Sequence, residues 1–191
     1  MRYEPEHKKQ TRDRIVRNAA RKLRAEGLSG PGVASVMQAS GLTVGGFYKH
    51  FGSKDELLAE AIAQGFVEFS EKVFASLQSV PPENRWKEVV RWYLSPEHCN
   101  RPDTGCPVVT LAPEIARAKL PVRKRMAGLM KELTKRWAEF MPGATARERE
   151  RNFFVIFSAM AGAVATARLF TEPADRERVL GSTRDYLLAS F

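Results

Sequence analysis

Nowhere in this chain do apolar and polar residues alternate for long enough to make a half-buried strand. Apolar residues recur instead at helical spacing, and glycines, prolines and Ser or Thr caps cut the chain into segments. A chain patterned this way can bury its apolar stripes only by stacking helices. The sequence therefore predicts an all-α fold of about nine helices. Its 191 residues are enough for a core that needs no disulfides. The two cysteines, Cys99 and Cys106, are too few for a disulfide scaffold and suit a reducing cytoplasm. The charged start MRYEPEHKKQTRDR has no apolar stretch of the kind a secretory signal needs. The most apolar run, Phe153 to Ala167, is shorter than the roughly 20 residues that cross a bilayer and reads as a buried helix. A cytoplasmic protein is expected.

The punctuation places each helix. The first is predicted to begin near Thr11 and to bury Ile15, Val16, Ala19, Ala20 and Leu23. Arg12, Arg14, Arg17, Arg21, Lys22 and Arg24 occupy its other faces, and Gly27 stops it as a C′ glycine. After the turn Ser29-Gly-Pro-Gly32, a short helix over Val33–Ser40 buries Val33, Val36 and Met37 and ends at Gly41. Thr43 is placed to cap a third helix over Val44–Phe51. Gly52 breaks the chain, and Ser53 with Glu56 predicts a capping box opening a long helix that carries Leu57, Ala61, Ile62, Phe66, Phe69, Val73 and Leu77. Pro81-Pro82 is the predicted internal hinge. Helices over Glu83–Leu94, Pro107–Lys119, Val122–Phe140, Thr145–Phe170 and Pro173–Ser190 follow, with a loop at Ser95–Gly105.

Charge is unevenly spread. Residues 1–54 hold 11 Lys+Arg against 4 Asp+Glu, whereas the rest hold 20 against 18. Most of the net +9 thus lies in the first quarter of the chain, the pattern of a surface for a polyanion. The second and third segments read as a helix-turn-helix, a unit whose second helix enters the DNA major groove. On that reading Val36, Leu42, Phe47 and Phe51 hold the pair against the first helix. Thr43, Val44, Gly45, Gly46, Tyr48, Lys49 and His50 face outward, with Lys54 beside them. Gly45 and Gly46 weaken a helix by roughly 1 kcal/mol each relative to Ala, but they let the backbone approach DNA closely. Val44 offers a methyl surface to thymine, and Tyr48, Lys49, His50 and Lys54 suit phosphates.

The ordered run GLTVGGFYKHFGSKDELL resembles the DNA-binding signature of the TetR family of bacterial transcriptional repressors. There a Gly-Val-Ser-x-Gly-like turn precedes an aromatic pair with basic residues, a Phe, and Ser-Lys-x-x-Leu. The likeness spans about residues 11–58. The sequence departs from the pattern at Ser29-Gly-Pro-Gly32, where relatives carry a Ser or Thr cap, and at Gly46, where a polar side chain is common. Sparse base contacts and readout of DNA shape are expected from those departures. The resemblance implies a DNA-binding domain over 1–54 and an effector-binding and dimerisation domain over 55–191. It implies a homodimer bound to a palindromic double-stranded DNA operator and released by a small-molecule effector, with no cofactor, no metal and no catalysis. GCPVVTLAPEIA, residues 105–116, is similar to a segment in a subset of such regulators.

In the second domain, Phe66, Phe69, Trp86, Trp92, Tyr93, Met126, Met130 and Trp137 are the candidates to surround an effector pocket. The small-residue surface of the Thr145–Phe170 helix is expected to pair with a second chain, with Phe157, Ala161, Val164, Ala165 and Arg168 at the interface. Cys106 precedes Pro107 at a helix N-terminus, a position that can lower a thiol pKa, so an oxidant or electrophile sensor is an alternative reading. Cys99, Cys106 and His98 lack a fourth ligand for zinc. A non-specific nucleic-acid-binding protein and an all-helical enzyme are the remaining alternatives, but no G-x-S-x-G, P-loop, H-E-x-x-H or paired-carboxylate motif is present.

Overall fold

The computed structural model describes residues 5–191, and within them every regular element is a helix. The first four residues of the charged start, with Arg2 and Glu4 of the charge count, lie outside the described residues. Helix α1 spans Pro5–Glu26, α2 Val33–Ala39, α3 Lys54–Ser76, α4 Arg85–Tyr93 and α5 Pro96–Cys99. Helix α6 spans Pro107–Arg117, α7 Leu120–Ala138, α8 Ala146–Ala167 and α9 Pro173–Ser190. Short 3-10 segments occupy Val44–Lys49 and Pro82–Asn84.

Helix α1 packs along α3 and against α2, which in turn holds the Val44–Lys49 segment. Ile15, Ala19 and Leu23 meet Val36, Met37, Phe47 and Phe51 in one core. Polar ties fix the docking. Asn18 Nδ2 donates to Ala39 O at 3.0 Å and to Ser40 Oγ at 3.1 Å. Gly27 and Gly41 end α1 and α2 with φ of +78° and +69°, the left-handed region that suits glycine. Helices α8 and α9 form an antiparallel hairpin, and α3, α6 and α7 close the larger half around α8.

Several boundaries differ from the sequence reading. Helix α1 begins at Pro5, so Thr11 is a buried mid-helix residue and not a cap. The Val44–Lys49 segment is a 3-10 helix, closed by His50 N–H donating to Phe47 O at 2.9 Å, not an α-helix over Val44–Phe51. Gly45-Gly46 gives α geometry no advantage here, and α-type closure occurs only at the segment's end, where Phe51 N–H donates to Phe47 O at 3.1 Å. The Ser53 box is half formed. Ser53 Oγ accepts from Glu56 N–H at 3.1 Å, but the Glu56 carboxylate takes Gly52 N–H at 2.8 Å. The full reciprocal box sits instead at Thr145 and Glu148, opening α8. Helix α3 ends at Ser76, before Pro81-Pro82. Part of the predicted loop is helix α5, whose Ser95 cap accepts from His98 N–H at 3.2 Å.

Candidate functional site

Two features stand out: a basic surface on the small helical head, and a cavity in the larger half. On the head, Thr43, Val44, Gly45, Tyr48, Lys49 and Lys54 are exposed, with Tyr48 at 79% and Val44 at 53%. Gly46 is half-buried. Below them Phe47 and Phe51 are buried and stacked with ring centres 5.6 Å apart, which orients the segment with alternate side chains inward and outward. Thr43 sits at the cap position but its side chain makes no capping bond. Gly32 likewise starts α2 without a side-chain cap.

Nothing among the described residues explains Gly45. Its φ is not in the left-handed region, and a Cβ there would meet no atom within 4 Å. A Cβ at Gly46 would meet only Met37 Cε at 3.7 Å, an ordinary contact. The cost of these glycines to the fold has no return inside the protein.

The cations sort into two groups. Arg14, Arg17, Arg21, Lys49 and Lys54 stay at the surface. Arg12 and Arg24, read from the sequence as surface decoration, are structural. Arg12 pairs with Glu60 and Glu56, lies over the Phe51 ring at 4.6 Å and donates through Nε to His50 O at 3.2 Å. Arg24 is 3% exposed and donates to Asp103 O at 2.8 Å, Gly65 O at 3.0 Å and Glu68 at 3.3 Å. His50 is half-buried. Burial and the neighbouring Lys8, Arg12 and Lys49 push its pKa below the usual histidine value, which disfavours a cationic phosphate contact from this ring.

In the larger half, an open cleft of about 540 Å³ lies between α6 and α7, with Phe66 and Phe157 on its floor. Past Phe66, Val108, Met130 and Phe157, which line both spaces, it abuts an apolar void of about 30 Å³, room for one or two waters. Of the residues predicted to surround an effector pocket, Phe66, Phe69, Tyr93, Met130 and Trp137 line the void and Met126 lines the cleft. Trp86 and Trp92 line neither. Trp86 is buried against Phe191, and Trp92 packs on His98 with ring centres 5.0 Å apart. Sequence reasoning missed Met141 and Met160, which with Met130 make the void's wall deformable.

Cys106 also lines the void, 3% exposed. Burial pushes its thiol pKa up, against the lowering expected of a helix N-terminus, with the Tyr93 hydroxyl offsetting this in part. Tyr93 is 1% exposed, burial raises its pKa, and its hydroxyl has the Cys106 thiol beside it but no well-aligned hydrogen-bond partner among the described residues. His98 stitches this wall together. Its Nε2 accepts Cys106 N–H at 3.0 Å, so Nδ1 carries the proton and donates to Tyr93 O at 2.7 Å. Burial holds the ring neutral, with a pKa lowered to about 4. Gly105 has to be small here, since a Cβ would lie 2.9 Å from Arg101 O and 3.1 Å from His98 Nε2. Among the described residues no group of three His, Cys, Asp or Glu side chains could hold a metal ion, and no helix is long and apolar enough to cross a membrane.

The predicted interface on α8 needs correction. Val164 is fully buried in its own chain and cannot meet a second copy. Phe157 is half-buried and faces the cavity. Arg168 is half-buried, donating to Cys99 O at 2.9 Å and Thr110 Oγ1 at 3.4 Å. Ala165 is exposed and Ala161 partly so. The open face of α8 carries Phe154, Val155, Ser158, Gly162 and Ala165, continued by Leu169 at 83% exposure and by Tyr186 of α9 at 72%.

Comparison with known proteins matches the head by sequence and the whole chain by fold. Residues 15–61 match the family described as bacterial regulatory proteins, tetR family. A TetR-family transcriptional regulator from Cytophaga hutchinsonii superposes with a TM-score of 0.77 at 19% identity, over 95% of each chain. A TetR transcriptional regulator from Chloroflexus aurantiacus gives 0.76 at 23% identity, over 96% of each. A Saccharomonospora viridis protein solved in complex with choline gives 0.73 at 12% identity, over 95% of this chain and 97% of that one. No curated protein matches the sequence.

Proposed function

We propose that this chain, which belongs to the TetR family of bacterial regulatory proteins, acts as a homodimeric repressor that leaves its operator when a small molecule fills the cavity of the larger half. The family and fold are those of transcriptional regulators rather than enzymes. The observation that carries the DNA reading is Gly45. A residue that costs helix stability, needs no special φ and would clash with nothing among the described residues is explained by a partner outside the chain. A duplex seated on Val44–Lys49 supplies that partner, with Tyr48, Lys49 and Lys54 at the phosphates.

Dimerisation follows from the exposed apolar faces of α8 and α9. Phe154, Val155, Leu169 and Tyr186 form an open surface that a second copy would cover, pairing four helices. Two heads so joined would read half-sites about 34 Å apart.

The effector's message has a physical route. Cys106 in the void wall follows Gly105, and Asp103 two residues earlier gives its carbonyl to Arg24 of α1. Glu114 of α6 accepts Leu28 N–H at 2.8 Å, gripping the end of α1 a second time. A ligand that spreads the void moves α6 and its preceding loop, and both hold the head. A coupling of about 1–3 kcal/mol suffices for a useful switch. A buried, protonated Cys106 gives the redox alternative no support. Selection of bound duplexes from a random pool tests the proposal. Enrichment of a palindrome is expected, and enrichment of no sequence at all would leave a non-specific binder.

A further inference from the structure

We infer, resting on the effector reading above, that the ligand is an anionic amphiphile, its apolar body in the α6–α7 cleft and its negative head on Arg123 and Lys124. The cleft's lining is apolar except at these two residues. Neither has an acidic partner among the described residues, whereas their neighbour Lys119 is held by Asp55 at 2.7 Å and Arg136 by Glu71 at 2.7 Å. Both lie near the start of the 19-residue α7, whose first turn has no acidic residue and no side-chain cap, so the helix's positive end adds to their field. Leu120, 57% exposed on the cleft's lining, extends the apolar surface to its mouth.

The inner end asks for a ligand independently. The Tyr93 hydroxyl lies in the wall of the void, buried, with only the weakly bonding Cys106 thiol beside it and no well-aligned hydrogen-bond partner among the described residues. A buried hydroxyl in that state is costly, and a ligand oxygen reaching past Phe66 and Met130 relieves it. The site is thus cationic outside, greasy along its length and a hydrogen-bond donor within. A cationic head group of the choline type meets repulsion at the rim.

The test titrates the full chain, below micellar concentrations, with dodecanoate, dodecan-1-ol, dodecyltrimethylammonium and 12-hydroxydodecanoate, read by calorimetry. Dodecanoate is expected to bind about tenfold tighter than the alcohol, from two partly exposed ion pairs, with the ammonium weakest. In the double variant R123A/K124A the acid should fall to the alcohol's affinity while the alcohol's own affinity stays put, which also reports an intact fold. 12-Hydroxydodecanoate should outbind dodecanoate, and Tyr93→Phe should erase that difference. Equal binding of acid and alcohol, preference for the ammonium, or no binding of any probe overturns the inference. Operator release is measured separately. Tight, Arg123-dependent binding of dodecanoate that leaves operator DNA bound would sink the effector reading and leave the ligand class standing.

Discussion

The Val44–Lys49 segment and helix α8 show two opposite ways of writing structure into sequence. In the first, geometry comes from residues that punctuate: Gly41, Phe47 and Phe51, Gly52, Ser53. Few residues are apolar, so each inward or outward choice is visible, and Phe47 and Phe51 are buried while Tyr48 stands out. In α8 almost every residue from Phe153 to Ala167 is apolar or small. A helix with no polar stripe does not announce which face it buries. A sparse segment fixes its own phase, whereas a saturated one borrows it from neighbours.

The largest effect tests that borrowed phase. Val164→Asp puts a charge in a site with no exposure and no partner, and should cost at least about 4 kcal/mol, read by urea unfolding. Leu169→Asp, in the open face, should leave the monomer's stability within about 0.5 kcal/mol and dissociate the proposed dimer in sedimentation. If the two variants exchanged behaviours, the phase assigned to α8 would be wrong.

That same contrast says what could be read in advance. The order of the long helices and the Gly27 and Gly41 stops were legible because capping and C′ residues act locally, whereas the short α5 and the 3-10 form of Val44–Lys49 were not. The exposure of Thr43, Val44, Gly45, Tyr48, Lys49 and Lys54 was legible for the same reason, but Gly46 and His50, also expected to face outward, are half-buried. The burial of Val164, expected at a dimer interface, was not legible, because α8 offers apolar residues on every side. Trp86 and Trp92 lie away from the cavity because aromatic character shows burial but not against what. The roles of Arg12 and Arg24 depend on carboxylates and carbonyls some 40 to 80 residues away, which no local pattern can show.

The next largest effect belongs to the larger half alone. Its buried His98 stays neutral down to about pH 4, while the unfolded chain takes up that proton near the ordinary histidine value of 6.5. Folded-state pKa is therefore depressed for a base. As pH falls from 6.5 toward 4 the unfolded state gains a proton the folded state refuses, and stability drops by roughly 3 kcal/mol before levelling off. His98→Gln should flatten this part of the stability-versus-pH curve whatever it does to the plateau. An unchanged slope would mean another group is responsible. No comparable fall is expected from the half-buried His50 in the head.

Smaller again is a change that should move two observables in opposite directions. Gly45→Ala meets open space, so it should raise thermal stability by up to about 1 kcal/mol through helix propensity. The added methyl stands where the duplex would lie, so operator affinity should fall about tenfold. A variant that gained stability and kept its affinity would detach Gly45 from DNA and remove the observation on which the DNA reading leans most.

Lys54→Ala gives the smallest effect and the sharpest one. Lys54 is exposed, it makes no ion pair among the described residues, and its loss should barely change stability. If it neutralises one phosphate per protomer, the slope of log K against log salt should shrink by about 1 for each protomer, close to 2 for a dimer. Arg12→Ala is the counterpart, because Arg12 is spent on Glu56 and Glu60. That variant should destabilise the head by loosening His50 and Phe51, and once folded it should keep the wild-type salt slope. A slope that shrank for Arg12→Ala and not for Lys54→Ala would reverse the division between structural and DNA-facing cations drawn along α1 and the start of α3.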